Sequence, residues 1–288
     1  MPKVESESSK NPVLKCSSYN LELGKRTLIM GILNVTPDSF SNGGLYNRLD
    51  KALDHAERMI EDGADIIDVG GESSRPGSEP VPEHIEIERI LPVIEKLAKK
   101  VKVPISIDTY KASVAEQALD AGASIVNDIT ALEDPNMVSI IAKFAVPVVL
   151  MHKQGSPKNM QVNPSYNNLI PEIISFLQAR IQFAIDHGIQ SDQIIVDPGI
   201  GFGKTTEHNL EILRDLRKFK ILNKPILIGT SRKSFIGKIL DLPVEDRLEG
   251  TAATVAIAIA NGADIIRVHD VKEMKRVARM ADAIVRMI

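Results

Sequence analysis

Eight short β-branched runs in this chain each lead into polar residues, and those residues are the ones equipped for chemistry. They are Asn34, Asp68, Asp108, Asn127, His152, Asp197, the trio Ser231-Arg232-Lys233, and the pair Arg267 and His269. The set divides in two. Arg267, His269 and Lys233 can receive an anion, and a guanidinium grips a phosphate through two parallel hydrogen bonds. Asp108, Asn127 and Asp197 offer acceptors, which suits a flat heterocycle carrying several N–H groups, because an ionised aspartate only accepts. A ligand with a donor-rich ring at one end and a phosphate at the other satisfies both halves. A paired-carboxylate glycosidase is the alternative, and it leaves the cations without a partner. Each residue taken alone reads equally well as a cap or a turn.

The elements that must position them follow one pattern. Thr27–Val35, Ile66–Val69, Ile105–Asp108, Ile125–Asp128, Val146–Met151, Ile194–Asp197, Ile226–Gly229 and Ile265–Val268 are near-continuous apolar runs. Stretches of helical spacing such as Asp50–Glu61, Lys111–Leu119 and Glu245–Ala260 separate them. Buried parallel strands alternating with amphipathic helices predict an α/β protein, and eight units predict a (β/α)8 TIM barrel with chemistry at the carboxyl ends of its strands. Three segments share one layout, Asp62-Gly-Ala-Asp-Ile-Ile67, Ala121-Gly-Ala-Ser-Ile-Val126 and Asn261-Gly-Ala-Asp-Ile-Ile266. In each, a glycine suited to end a helix precedes a strand by about three residues. Lys15–Lys25 alternates like a hairpin, with Leu23-Gly24-Lys25 as its turn, placed to close the barrel floor. Residues 1–12 read as a disordered tail and 13–288 as a single domain.

Composition narrows the function. Of 288 residues, 35 are basic and 38 acidic, a net charge of −3, which removes the footprint of a sequence-independent nucleic-acid binder. No apolar run reaches the roughly 18 residues of a membrane helix, and the polar start lacks the apolar core of a signal peptide. A cytoplasmic protein is expected. Cys16, the single cysteine, reads as a small buried apolar group. Gly199-Ile-Gly-Phe-Gly-Lys204-Thr205 imitates a P-loop but carries Pro198 where that motif needs glycine, so Lys204 is expected at the surface or at a helix start. Two loops, Thr36–Leu45 and Gly70–Pro82, are long for connections that usually run about 2–6 residues, and suit a substrate clamp.

Several strings are specific. They are Gly31-Ile-Leu-Asn-Val-Thr-Pro-Asp-Ser-Phe40, Asp68-Val-Gly-Gly-Glu-Ser-Ser-Arg-Pro-Gly77, Ser106-Ile-Asp-Thr109, Val126-Asn-Asp128, Asp197-Pro-Gly-Ile-Gly-Phe-Gly-Lys204, Gly229-Thr-Ser-Arg-Lys-Ser-Phe-Ile-Gly237 and Arg267-Val-His269. Through them the chain resembles the dihydropteroate synthases of folate biosynthesis along all but its first dozen residues. The resemblance implies a transferase that moves 6-hydroxymethyl-7,8-dihydropterin from its pyrophosphate to 4-aminobenzoate by an SN1-like path. It assigns the pterin to Asp108, Asn127, Asp197, Lys233, Met151 and Phe202, and the pyrophosphate to Asn34, Arg267 and His269. Asn34 would also ligate Mg2+. Ser73, Ser74, Arg75 and Ser78, with Phe202 and Lys233, would meet the aminobenzoate. Lys233, Arg267, His269 and Asp38 form the implied catalytic set. Sulfonamides are implied competitors and a homodimer the implied assembly. A methyltetrahydrofolate–corrinoid methyltransferase shares the Asp/Asn/Asp ring pocket without needing a pyrophosphate site, and a pterin-binding protein without catalysis would keep the pocket alone. These two stay open as alternatives.

Overall fold

The period-two alternation of a strand decides which residues reach the interior of a barrel. The computed structural model describes residues 12–36, 45–73, 77–155 and 158–286. Within it, eight parallel strands carry that alternation: β3 (Leu28–Asn34), β4 (Ile66–Gly70), β5 (Ile105–Asp108), β6 (Ile125–Asp128), β7 (Val148–Met151), β8 (Ile194–Asp197), β9 (Leu227–Ile228) and β10 (Ile265–Val268). They pair in the order β8-β7-β6-β5-β4-β3-β10-β9, and a parallel bridge from Val196 to Ile226 joins the two ends. The sheet closes into the expected (β/α)8 barrel.

Outward residues of the strands, among them Ile29, Ile67, Val69, Ile107, Val126, Leu150, Val196 and Ile266, are buried against the helices as one continuous core. Each such side chain contributes about 1.5–3 kcal/mol of burial. The helices are α1 (Leu45–Glu61), α2 (Glu83–Lys100), α3 (Ala112–Asp120), α4 (Met137–Phe144), α5 (Leu169–Asp186), α6 (Thr206–Asp215), α7 (Ser234–Leu240), α8 (Leu248–Ala260) and α9 (Val271–Val285). The expected Glu245–Ala260 helix divides, because a short 3-10 turn at Val244–Asp246 precedes α8. At the three repeated junctions Gly63, Gly122 and Gly262 have φ of 104°, 113° and 100°, left-handed backbone that glycine adopts without a Cβ penalty. Among the described residues no helix is long and apolar enough to cross a membrane.

Inward residues form two storeys. Leu28, Met30, Ile66, Ile125, Val149, Ile195, Leu227 and Ile265 make an apolar lower layer, capped from below by Leu14, Cys16 and Leu23. Those three belong to the antiparallel hairpin β1 (Val13–Cys16) and β2 (Tyr19–Glu22) and to the residue after it. The hairpin closes the floor as expected, but it turns at Ser17-Ser18, where Ser17 has φ 54°. Leu23 is only 3% exposed, so burying it beneath the barrel takes priority over using Leu23-Gly24-Lys25 as the turn. Cys16 is buried, and burial pushes its thiol up to about 12, which leaves it unreactive. Two residues further along the same inward face stand the polar groups: Ile66 is followed by Asp68, Ser106 by Asp108, Ile125 by Asn127, Ile195 by Asp197 and Ile265 by Arg267.

Candidate active site

One period of the alternation above the apolar layer, the strand ends assemble a charged ring. Arg267 on β10 donates from Nε to Asp68 Oδ2 at 2.6 Å and from a terminal nitrogen to Asp108. Asp68 Oδ2 also accepts from the Asn127 amide at 3.1 Å. Asp68 is fully buried on β4, and Asn127 is buried on β6. Burial alone would lower the arginine's pKa, but the two carboxylates outweigh that and raise it. Burial pushes Asp108 up to about 7, against the pull of Arg267.

A second cluster adjoins the first across β8 and β9. Asp197 is buried and accepts from the Gly199 N–H at 2.7 Å. Burial raises its pKa, and the charge of Lys233 opposes the rise most strongly. Lys233 lies over the Phe202 ring, 4.7 Å from its centroid, and donates to the Ile200 carbonyl. Burial lowers this lysine to about 8. Met151 closes the wall as a buried apolar group at the end of β7. On the other side His269 places Nδ1 3.0 Å from Ser231 Oγ. Registers Asn34↔Gly70 and Gly70↔Asp108 set Asn34 level with Asp108 across three strands. Acceptors on Asp108, Asn127 and Asp197 and cations on Arg267 and Lys233 therefore stand together at the carboxyl-end mouth of the barrel, with His269 directly after β10.

Comparison with known proteins gives the family. Residues 30–269 match the family of pterin binding enzymes. The chain is 54% identical over 264 residues to the dihydropteroate synthase of Bacillus subtilis, covering 91% of this chain and 90% of that one. It superposes on the Yersinia pestis dihydropteroate synthase in a sulfonamide drug complex with a TM-score of 0.91 at 44% identity, over 96% of this chain and 100% of that one. It superposes on the Clostridium difficile dihydropteroate synthase, crystallised with pteroic acid, with a TM-score of 0.88 at 50% identity, over 92% and 99%. The chain belongs to the dihydropteroate synthases.

Within the synthase framework the predicted residues fall into three groups. Asn34, Asp108, Asn127, Met151, Asp197, Phe202, Lys233, Arg267 and His269 stand at the carboxyl ends of strands or on the loops that follow them. Ser73 and Ser78 sit on the connection from β4 to α2, where Ser78 Oγ donates to the Ser73 carbonyl at 2.5 Å. Asp38, Ser74 and Arg75 lie outside the described residues, as does the predicted tail up to residue 11.

Sequence reasoning gives two groups no role in the site. Asp68 is named there only as a polar strand end, yet it anchors Arg267 and Asn127 together; its inward phase, one strand from Asp108, is the signal for that role. Lys204 is the larger correction. Expected at the surface or at a helix start, it does stand at a helix start, directly before Thr205, the N-cap of α6, but it is only 1% exposed. Its ammonium donates to the carbonyls of Phe202 at 3.0 Å and His152 at 3.3 Å, and meets His152 Nδ1 at 3.0 Å. Burial lowers Lys204 to about 7 and His152 to about 3, so the imidazole is neutral and can accept. Glycines at positions 199, 201 and 203, all at positive φ, curl the chain back over β7 and turn the lysine inward. A Cβ on Gly199 would lie 1.8 Å from the His152 carbonyl oxygen. Gly199→Ala is expected to destabilise the protein by more than about 1 kcal/mol, since it adds a clash to a φ that side chains resist; urea denaturation checks this.

Proposed function

We propose that this mouth performs the synthase reaction with the residues described above. The nitrogen lone pair of 4-aminobenzoate forms a C–N bond to the pterin methylene, the C–O bond to pyrophosphate breaks with its electrons leaving on the phosphate, and the amine gives up a proton. Asp108, Asn127 and Asp197 hold the pterin ring, with Met151 and Phe202 against its faces. Arg267 and His269 take the departing diphosphate, stabilising charge where it develops, and Lys233 bridges ring and aminobenzoate. Ser73 and Ser78, and by the family resemblance Ser74, Arg75 and Asp38, serve the aminobenzoate side. The observation that carries this reading is the pairing of Arg267 with Asp68 and Asp108 beside Asp197 and Lys233, which puts acceptors for a base and cations for a diphosphate in one place.

An SN1-like order suits these groups. Carboxylates beside the ring stabilise a cationic methylene, and a neutral aniline nitrogen then needs no strong base. Pyrophosphate formation from the dihydropterin pyrophosphate, Mg2+ and 4-aminobenzoate, each omitted in turn, tests activity. Pyrophosphate release that strictly required 4-aminobenzoate would sink the dissociative order.

Asn34 offers a hard side-chain oxygen at the carboxyl end of β3, level with Asp108. Magnesium usually keeps several waters and relies on one or two protein oxygens plus substrate phosphates. Among the described residues no three His, Cys, Asp or Glu side chains gather around a metal position, so the donor set fits an ion that is carried in by the diphosphate and touched by Asn34. When bound, the ion would neutralise leaving-group charge.

The relatives' sulfonamide complex supports competition by sulfonamides at the aminobenzoate side. Ile257 on α8 and Met280 and Ile284 on α9 are 52%, 64% and 67% exposed, and this apolar face supports assembly as a homodimer. Ile284→Glu is expected to move the protein to monomer, read by light scattering after gel filtration. Charge balance and composition support a cytoplasmic location.

A further inference from the structure

The connection from β4 to α2 has a base built from side chains, and one ammonium sits at its centre. Lys111 Nζ donates to Glu72 Oε2 at 2.5 Å, to the Val81 carbonyl at 2.6 Å and to Glu86 Oε2 at 2.6 Å. Glu72 begins the connection, Val81 nearly ends it, and Glu86 lies in the first turn of α2. The three donors of one ammonium thus meet three acceptors from three places. Glu72 Oε2 accepts in addition from the Val81 N–H at 2.9 Å, and Glu72 Oε1 accepts from the Tyr110 hydroxyl at 2.9 Å. Arg89 adds a bond from α2 to the Gly71 carbonyl at 2.8 Å. The side chains of Lys111, Glu72 and Glu86 are only 11%, 10% and 1% exposed.

The clamp itself stands on rigid ground. Lys111 precedes α3, three residues after Asp108, and the next residue's N–H is held by Asp134 at 3.0 Å. Ser73 and Ser78, joined by their own hydrogen bond, lie between the two clamped ends. We propose that Lys111, with Glu72, Glu86 and Tyr110, is a positioning group for the amine substrate, fixing both ends of this connection so that Ser73 and Ser78 face 4-aminobenzoate. This rests on the reading that puts those serines on the aminobenzoate side.

The test is a split between the two substrates. Lys111→Met is expected to raise the KM for 4-aminobenzoate at least about tenfold while the affinity for the dihydropterin pyrophosphate, measured by calorimetry, changes less than threefold. Lys111→Arg keeps the charge, but a planar fork cannot direct three donors from one point, so the KM is expected to remain raised about threefold or more. Tyr110→Phe removes one bond to Glu72 without stranding a buried charge, and covers the case in which Lys111→Met fails to fold. It is expected to raise the same KM about two- to fivefold. An aminobenzoate KM that stays at the wild-type value in Tyr110→Phe and Lys111→Arg overturns the proposal, as does an equal loss for both substrates. Ser78→Ala separates the two levels. If it leaves the aminobenzoate KM unchanged, the serine reading fails; if it raises that KM while the clamp variants do not, only the clamp proposal fails.

Discussion

Arg267→Met is expected to lower turnover at least about 100-fold and to destabilise the fold by about 3–5 kcal/mol. The two losses have separate origins. Charged hydrogen bonds are worth about 1.5–3 kcal/mol each, so two of them lost from a diphosphate amount to at least about 3 kcal/mol, and each 1.36 kcal/mol is tenfold in rate. The stability loss comes from the carboxylates left behind. Asp68 is fully buried and bonded to Nε at 2.6 Å, its other oxygen is buried without a hydrogen-bond partner, and Asp108 shares the same guanidinium. Removing one partner of a buried ion pair strands its opposite charge, which costs about 3–5 kcal/mol. Pairing Arg267→Met with Asp68→Asn removes one stranded charge, so stability is expected to recover in part while turnover stays low. Urea denaturation and steady-state kinetics on the same preparations check both arms. Near-wild-type turnover in Arg267→Met would show that the diphosphate is held elsewhere, and unchanged stability would show that the buried pairing carries little weight.

That coupling marks the border of what is legible in the sequence. The barrel is readable because each strand is short, apolar and followed by a helix, and because three junction glycines repeat one local solution. Which strand ends are polar is readable too, since polarity at the carboxyl end breaks an otherwise apolar run. What those ends bond to is set by lateral neighbours: Asp68 meets Arg267 across 199 positions, and no local pattern encodes that pairing. Lys204 is legible in part: it does stand at a helix start, but nothing along the chain marks it as buried, and the three positive-φ glycines, acting together, turn it inward against His152 beyond the end of β7. The hairpin turn is missed because alternation marks the strands but leaves open which polar step reverses the chain; burial of Leu23 under the barrel decides it. Glu72, Lys111 and Glu86 look like ordinary surface charges along the chain and become a buried clamp only when α2 and α3 pack side by side.

The pH dependence tests the electrostatic half of the site. The kcat/KM for the dihydropterin pyrophosphate is expected to be bell-shaped, highest between about pH 7 and pH 8, because that ratio reports ionisations of the free enzyme. Burial raises Asp108 to about 7, with Asp68 and Glu86 adding to the rise and Arg267 opposing it. As pH falls through that value the carboxyl becomes neutral and presents a donor where the ring N–H groups need an acceptor. Burial lowers Lys233 to about 8, against the pull of Asp197, so above that value the ammonium is lost. Both groups carry charge only between the two values, and each limb should fall about tenfold per pH unit once its group has titrated. Asp108→Asn is expected to flatten the acid limb at a lower plateau. Lys233→Arg is expected to carry the alkaline limb out of range, because a guanidinium stays charged. An acid limb that persisted in Asp108→Asn would belong to the diphosphate's own ionisation, and the ring would then be held without need of that carboxylate's charge.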